Sequence, residues 1–279
     1  MPSEEARAGW APPVSDVLAQ IYRARLARLE EEISSEPLAV LEERAAARRG
    51  TRRSLSAGLK QARPPGLIAE IKRASPSAGL ITDDFDVAQI AASYQRAGAD
   101  AISVLTEEDH FQGRLSYLGI VRQETSVPLL RKDFLTTPYE VVQSAAYGAD
   151  AILAIVAGLT DPQLLALLKA SVAWDIEVLV EVHSEAEIER ALGLGATLLG
   201  INNRDLRTLA TNTEVSRRLI SLIPPGILVV GESGYESAAE IQSAHRGGIP
   251  AFLVGEALMR TDDKAAFVSA VKAAGTVGA

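Results

Sequence analysis

The chain has 279 residues, 47% hydrophobic and 23% charged, with a formal net charge of −8; this is the profile of a globular protein of one large domain or two ordinary ones. No basic stripe speaks for nucleic acid, and the absence of cysteine excludes disulfides, thiolate catalysis and thiolate metal sites. The acidic start MPSEEARAGW lacks the apolar core of a signal peptide and no run reaches about 18 apolar residues, so no membrane partner is expected and the cytoplasm is the expected location.

Residues 1–13 read as a loose tail closed by Pro12 and Pro13. Val14, Val17, Leu18, Ile21, Leu26, Leu29 and Ile33 then follow a helical period. A second helix is expected over 37–49, with Pro37 in its first turn and Gly50 ending it. Residues 51–66 are basic, then rich in proline and glycine, and read as a connector.

From residue 67 short apolar runs recur: 67–73, 101–107, 128–134, 151–157, 177–182, 197–203, 227–233 and 251–256. Their starts are 20 to 34 residues apart, enough for strand, loop, helix and loop. The lead-ins RAGADAIS, AYGADAIL and LGLGATLLG each end a helix on glycine before a buried strand. Runs apolar on both faces suit a parallel sheet covered by helices. Eight such units predict an α/β fold, a (β/α)8 TIM barrel over 67–279 with an N-terminal helical extension over 1–66, forming one structural domain overall. The rival open doubly wound sheet usually has fewer strands and a G-x-G-x-x-G turn; here the turn after Lys72 reads R-A-S-P-S-A-G.

Strand side chains alternate, so Ile68, Glu70 and Lys72 share one face and Leu67, Ala69 and Ile71 the other. The face toward the helices should be apolar, which turns the charged set into the barrel. Leu130 with Lys132, Leu179 with Glu181, and Asn202 with Arg204 read the same way. All the polar members lie at strand C-terminal ends, where barrel enzymes keep their sites. The seventh and eighth runs end in VVGESGY and FLVGEALM. Gly231, Gly234 and Gly255 would let backbone N–H groups approach an anion, and helices beginning after Ser233 and Glu256 would aim their positive ends at it. Glu256 is an awkward neighbour for a dianion, so its carboxylate should point away; Lys72 could add positive charge.

The segments IAEIKRASPSAG (68–79), SVLTEEDHFQG (103–113), LLRKDF (129–134), LVEVHSEAE (179–187), LGINNRDL (199–206), VVGESG (229–234) and AFLVGEALM (251–259) resemble, in order, those of the indole-3-glycerol phosphate synthase family. The resemblance implies a carboxy-lyase of tryptophan biosynthesis. It would close the ring of 1-(2-carboxyphenylamino)-1-deoxy-D-ribulose 5-phosphate with loss of CO2 and water. It further implies Lys132 as general acid, Glu181 as its carboxylate acid/base partner and Glu70 with Lys72 as the first-strand pair. Ser75, Asn202, Arg204, Glu232 and Ser233 fall on substrate-binding positions, and Gly234, Gly255 and Glu256 on the phosphate loops. The family often carries serine where Glu256 stands, so a backbone donor is expected there.

Attack on the ribulose carbonyl builds charge on its oxygen, which Lys132 can meet as a cation and proton donor. Departure of the hydroxyl as water needs a second acid and a base for the ring-nitrogen proton, with Lys72 and Glu181 as candidates. Arg204, Asn202 and the Ser75-Pro76 turn are expected at the carboxylate end of the substrate, and Phe111 and Phe134 beside its aromatic ring. No cofactor is needed, and His110, His183 and His245 lack metal-ligand spacing; His183 shares the side of Glu181 and should shape the rim. A monomer is expected, with a homodimer as the alternative. Two rival functions are a related phosphate-binding barrel isomerase, which would use a thiol this chain lacks, and a non-enzymatic binding barrel, which would not need Lys132 and Glu181 together.

Overall fold

The computed structural model describes residues 16–205 and 208–273. The expected tail at 1–13, the helical position at Val14, Leu206 and the last six residues of the expected barrel segment lie outside the described residues.

Among the described residues three helices precede the sheet: α1 (Asp16–Ser35), α2 (Leu38–Ala46) and α3 (Leu55–Gln61). The third corrects the expected connector over 51–66. Ser54 caps it by accepting a hydrogen bond from Ala57 N, and Leu55 and Leu59 bury its apolar side.

Eight parallel strands then close into a ring: β1 (Gly66–Ile71), β2 (Ala101–Leu105), β3 (Leu129–Lys132), β4 (Ala151–Ile155), β5 (Glu177–Val182), β6 (Leu198–Asn202), β7 (Leu228–Glu232) and β8 (Ala251–Val254). Each pairs with its neighbours in sequence, and β1 closes the barrel on β8, with Gly66 opposite Ala251. Helices α4 (Val87–Ala97), α5 (Tyr117–Glu124), α6 (Pro138–Tyr147), α7 (Asp161–Ala173), α8 (Glu185–Gly193), α9 (Glu214–Leu219) and α10 (Ala238–Arg246) return the chain between strands, and α11 (Glu256–Arg260) and α12 (Lys264–Ala273) follow the last. Glycine sets two of these returns. Gly98 (φ +96°) and Gly148 (φ +113°) take the left-handed turn that ends α4 and α6 and sends the chain into β2 and β4.

Alternation holds along β1. Leu67, Ala69 and Ile71 pack with Val87, Ile90 and Tyr94 of α4 and with Val268 and Val271 of α12. Ile68 belongs instead to the cluster of Leu130, Leu153 and Leu179. The rule that the helix-facing side is apolar fails at Arg131, which is 1% exposed. Its guanidinium lies between β3 and α6, bonded to Asp133 (3.0 Å), Gln143 (2.8 Å) and Ser144 (3.1 Å). A buried charge of this kind is tolerated only when its donors are met.

The extension runs from one end of the barrel to the other. Val17, Leu18 and Ile21 of α1 line the cavity at the C-terminal mouth, and α2 lies along α6. At the other end Ser56 N donates to Glu177 at the start of β5 (2.9 Å), and Arg53 N to Asp150, just before β4 (3.1 Å). The tie along the side is ionic. Arg25, 5% exposed, donates to Glu140 (2.8 Å) and to Glu32, while Glu140 also accepts from Thr136 N and Thr137 N. Gln143 joins this set to Arg131 by donating to Glu32 (2.9 Å).

Removing one partner of a buried pair leaves the other charged and uncompensated. Arg25→Ala is therefore expected to lower unfolding stability by about 3 kcal/mol in urea denaturation, with the far-UV spectrum of the folded protein retained. A loss within experimental error of zero would show that Glu140 is adequately held by its backbone donors.

Candidate active site

The strand ends at the mouth bring together the charged residues that alternation turned inward. Lys132 ends β3, and its Nζ lies 3.2 Å from Glu181 Oε2 at the end of β5 and 3.2 Å from Glu232 Oε2 at the end of β7. Glu181 Oε1 accepts from Asn202 Nδ2 (3.1 Å) at the end of β6. Beside them Lys72 Nζ pairs with Glu70 Oε1 of β1 at 3.0 Å. These residues line one cavity of about 900 Å³, together with Ser75, Pro76, Phe111, Phe134, Arg204, Ser233, Gly234, Gly255 and Glu256. The expected site residues thus border the same space, except that Gly231, expected to admit an anion, faces Tyr235 and Ile249 instead, and His183, expected at the rim, is not among the lining residues.

Two glycines make room for the carboxylates. A Cβ on Gly200 of β6 would overlap Glu232 Oε1, and one on Gly255 would overlap Glu70 Oε1. Gly255 was expected only to admit an anion; its first steric duty is to Glu70. Gly200 was missed, although an inward glycine two residues before Asn202 is a readable signal of a large side chain opposite.

The electrostatics follow from burial. Burial alone would lower the Lys132 ammonium, but Glu232, Glu181 and Glu70 outweigh it and hold Lys132 well above its ordinary value. For Glu181 burial acts upward, yet Lys132, His183 and the Asn202 amide bring it below the usual carboxylate range. Glu232 goes the other way. Burial and the charge on Glu181 outweigh Lys132 and push it up to about 7. Glu70, Glu181 and Glu232 face one another here, and a proton on Glu232 relieves part of their mutual repulsion.

The aromatic and loop residues are placed as follows. The Phe111 and Phe134 rings lie 6.0 Å apart, and Phe134 meets Tyr22 of α1 edge-on at 5.6 Å. Ser75 and Pro76 sit in a tight ribbon, Ala74–Ser75 against Gly79–Leu80, with Ser75 Oγ accepting from Ala78 N (3.2 Å). Ala74 N donates to Phe111 O (3.3 Å), tying this ribbon to the loop after β2.

At the β7 and β8 ends the structure departs from expectation. The helix after β7 begins at Ala238, capped by Ser237, and not directly after Ser233. The helix after β8 begins on Glu256 itself and spans five residues, so the helix-end account of anion binding is not sustained. What remains is backbone shape. Ser233 (φ +61°) and Gly234 (φ +80°) both take left-handed conformations, and Asn203 Nδ2 holds the turn through Ser233 O (3.0 Å). Glu256 does turn to partners of its own, Arg260 (3.1 Å) and Arg204 (3.5 Å). Arg204, expected at the carboxylate end of a substrate, therefore reaches toward the β8 loop. Among the described residues no three metal-ligating side chains cluster, and no helix is long and apolar enough to cross a membrane.

Comparison with known proteins follows from this geometry. The family model described as indole-3-glycerol phosphate synthase matches residues 18–271. An indole-3-glycerol phosphate synthase of Azospirillum brasilense is 42% identical over 267 residues, 93% of this chain and 100% of the relative. One from Acidithiobacillus ferrooxidans is 50% identical over 197 residues, 71% of this chain and 75% of the relative. Among solved structures, 3-hexulose-6-phosphate synthase from Salmonella typhimurium aligns with a TM-score of 0.60 over 75% of this chain and 97% of its own, at 13% identity, a likeness of fold alone.

The raised Glu232 carboxyl has a thermodynamic consequence. Its folded value of about 7 lies above an unfolded value of about 4.3, so the folded state holds the proton more tightly. That stability is complete below about pH 4 and is lost as pH rises through about 7, by a few kcal/mol at most. Glu232→Gln cannot titrate. Its stability relative to the parent is therefore expected to improve between about pH 5 and about pH 8 in urea unfolding. A pH-independent difference would contradict the raised value.

Proposed function

The chain belongs to the indole-3-glycerol phosphate synthase family, and we propose that Lys132, Glu181, Lys72 and Glu70 carry out its chemistry at the mouth of the barrel. It is a carbon-carbon lyase of tryptophan biosynthesis that binds a small phosphorylated metabolite. Its reaction closes the ring of 1-(2-carboxyphenylamino)-1-deoxy-D-ribulose 5-phosphate and releases CO2, water and indole-3-glycerol phosphate.

The observation that carries the residue assignment is Lys132 Nζ at 3.2 Å from two carboxylates drawn from different strands. Held as a full ammonium, Lys132 meets the negative charge that grows on the ribulose carbonyl oxygen and donates its proton there. Loss of CO2 then restores the aromatic ring. The hydroxyl left behind departs as water after a second proton transfer, and a base takes the ring proton released as the indole forms. Glu181, kept ionised beside Lys132, is suited to the base role; Lys72, aligned by Glu70 at 3.0 Å, is suited to the acid role. Glu232 supplies the second carboxylate contact to Lys132, at 3.2 Å.

The same reading distributes the substrate. Its phosphate lies against the left-handed turn at Ser233-Gly234 and the Gly255 loop, within reach of Lys72. Its aromatic ring lies by Phe111 and Phe134, and its carboxylate end by Ser75, Pro76 and Asn202. Arg204 joins that end by exchanging Glu256 for the substrate carboxylate. The helices within 1–66 act as one wall of a single unit with the barrel of 67–279. Apart from Leu38 and Val40 on α2, the exposed large apolar side chains of the described residues lie on separate elements, which supports a monomer, and the lack of cysteine supports a reducing, cytoplasmic setting.

The direct assay is the appearance of indole fluorescence after purified substrate is added. Lys132→Ala is expected to abolish nearly all turnover while substrate binding persists in a titration; normal turnover would refute its role. For Glu181→Gln a fall in kcat of about 10²–10⁴-fold is expected, the scale of a lost acid/base group. A change confined to KM would make Glu181 a binding residue instead.

A further inference from the structure

His183 follows β5 and stands between two carboxylates. Its Nδ1 lies 3.3 Å from Glu187 Oε2 on α8, and its Nε2 lies 3.4 Å from Glu181 Oε1 inside the cluster. Nε2 is shut off from solvent and has no aligned hydrogen-bond partner; Glu181 is the carboxylate it faces. The ring itself is 15% exposed and the Glu187 side chain 19%, whereas Glu181 is 2% exposed. The array Glu187–His183–Glu181–Lys132–Glu232 thus leads from the surface to the centre of the cavity. Nothing in the mechanism above uses its outer half.

The reaction needs such a path. The substrate enters as a carboxylate and the carboxyl group leaves as neutral CO2. One proton is placed on the carbonyl oxygen, one on the departing hydroxyl, and one is taken from the five-membered ring as it becomes aromatic. Each turnover therefore consumes one proton from solvent. The groups that deliver and accept protons lie at the bottom of a cavity that the substrate fills and that α1 overhangs.

Resting on the assignment of Glu181 as acid/base, we infer that His183 is the relay that returns this proton from solvent to the cluster. The imidazolium Nε2–H bond breaks, its electron pair stays on Nε2, and an O–H bond forms on Glu181 Oε1; the carboxyl then gives its proton to the neutral Lys132 amine left by the first transfer, 3.2 Å away, so that Lys132 is an ammonium and Glu181 a carboxylate again before the ring proton is released. The neutral ring, with Nδ1–H toward Glu187, is reloaded from the surface. Both states conserve the charge of the pair. Glu181, Glu187 and, from β7, Glu232 are the charged groups that face the ring. Burial disfavours the imidazolium, but the Glu187 contact and the charges of Glu181, Glu187 and Glu232 outweigh it, so the ring holds its proton more tightly than a free imidazole. His183 does not touch the reacting atoms in this scheme; it acts through Glu181.

The test measures kcat and KM for His183→Gln across pH by indole fluorescence, with and without added imidazole as a diffusible proton donor. Expected is a fall in kcat of about tenfold with KM unchanged, growing as pH rises, and saturable recovery by imidazole at fixed pH. Glu187→Gln, which leaves the ring in place, is expected to show a smaller loss that imidazole also restores; it carries the test if His183→Gln does not fold. A kcat equal to the parent across pH, or a loss that imidazole leaves untouched, overturns the relay. A Glu181→Gln variant whose kcat equals that of the parent would instead overturn the underlying assignment, so the two failures are distinguishable.

Discussion

An ammonium group taken out of water must be surrounded by negative charge, and each carboxylate that surrounds it must be compensated in turn. Lys132 imposes that requirement on the whole mouth of the barrel. Its partners come from β5 and β7, which neither adjoin β3 nor lie near it in sequence. The ring closure that brings these strand ends together is therefore inseparable from the ion cluster. Burial and the neighbouring Glu181 charge together outweigh Lys132 at Glu232, and the raised proton affinity of Glu232 is the physical answer. A site of this kind meets developing negative charge with groups already oriented, so little reorganisation is needed during the reaction.

Space is allotted as strictly as charge. Gly200 in the middle of β6 and Gly255 just past β8 occupy positions where a single methyl group would displace a carboxylate. The open side of the cavity is closed by apolar residues of α1, so that the mouth of the barrel is partly roofed by the segment that precedes it in sequence. That roof is anchored by Arg25 and Glu140, not by apolar contact alone.

The strand that carries Lys132 is gripped on both faces. Inward, its ammonium is held by two carboxylates; outward, Arg131 and Asp133 lock into Thr106, Gln143 and Ser144. Gln143 continues through Glu32 to Arg25 on α1. A continuous polar network, buried except at Glu32, thus runs from the roof of the cavity to the backbone on either side of its central lysine. Such networks are rigid when fully satisfied, and precise placement of an acid is what proton transfer within a closed cavity demands.

The barrel was legible because its signals are local. Eight apolar runs, glycine stops before strands and a period of two place Glu70, Lys132 and Glu181 inward at strand ends without any tertiary information. The same rule reached Asn202 and Arg204, and the family resemblance supplied Glu232. What the alternation rule could not reach were partners. It faced Arg131 outward, where only apolar groups were expected, because Gln143 and Ser144 on the neighbouring helix come into reach only on folding. It placed Arg204 at the mouth, but not its Glu256 contact across two loops. The short helix α3 was hidden in a stretch rich in proline and glycine, and the start of α10 was read four residues early because Ser237, not Ser233, supplies the cap. Strand identity and facing are properties of neighbouring residues, so the sequence alone determined them. Which charges meet, which glycines must stay small and where α1 lies depend on distances across the closed ring, and only the tertiary structure decided those.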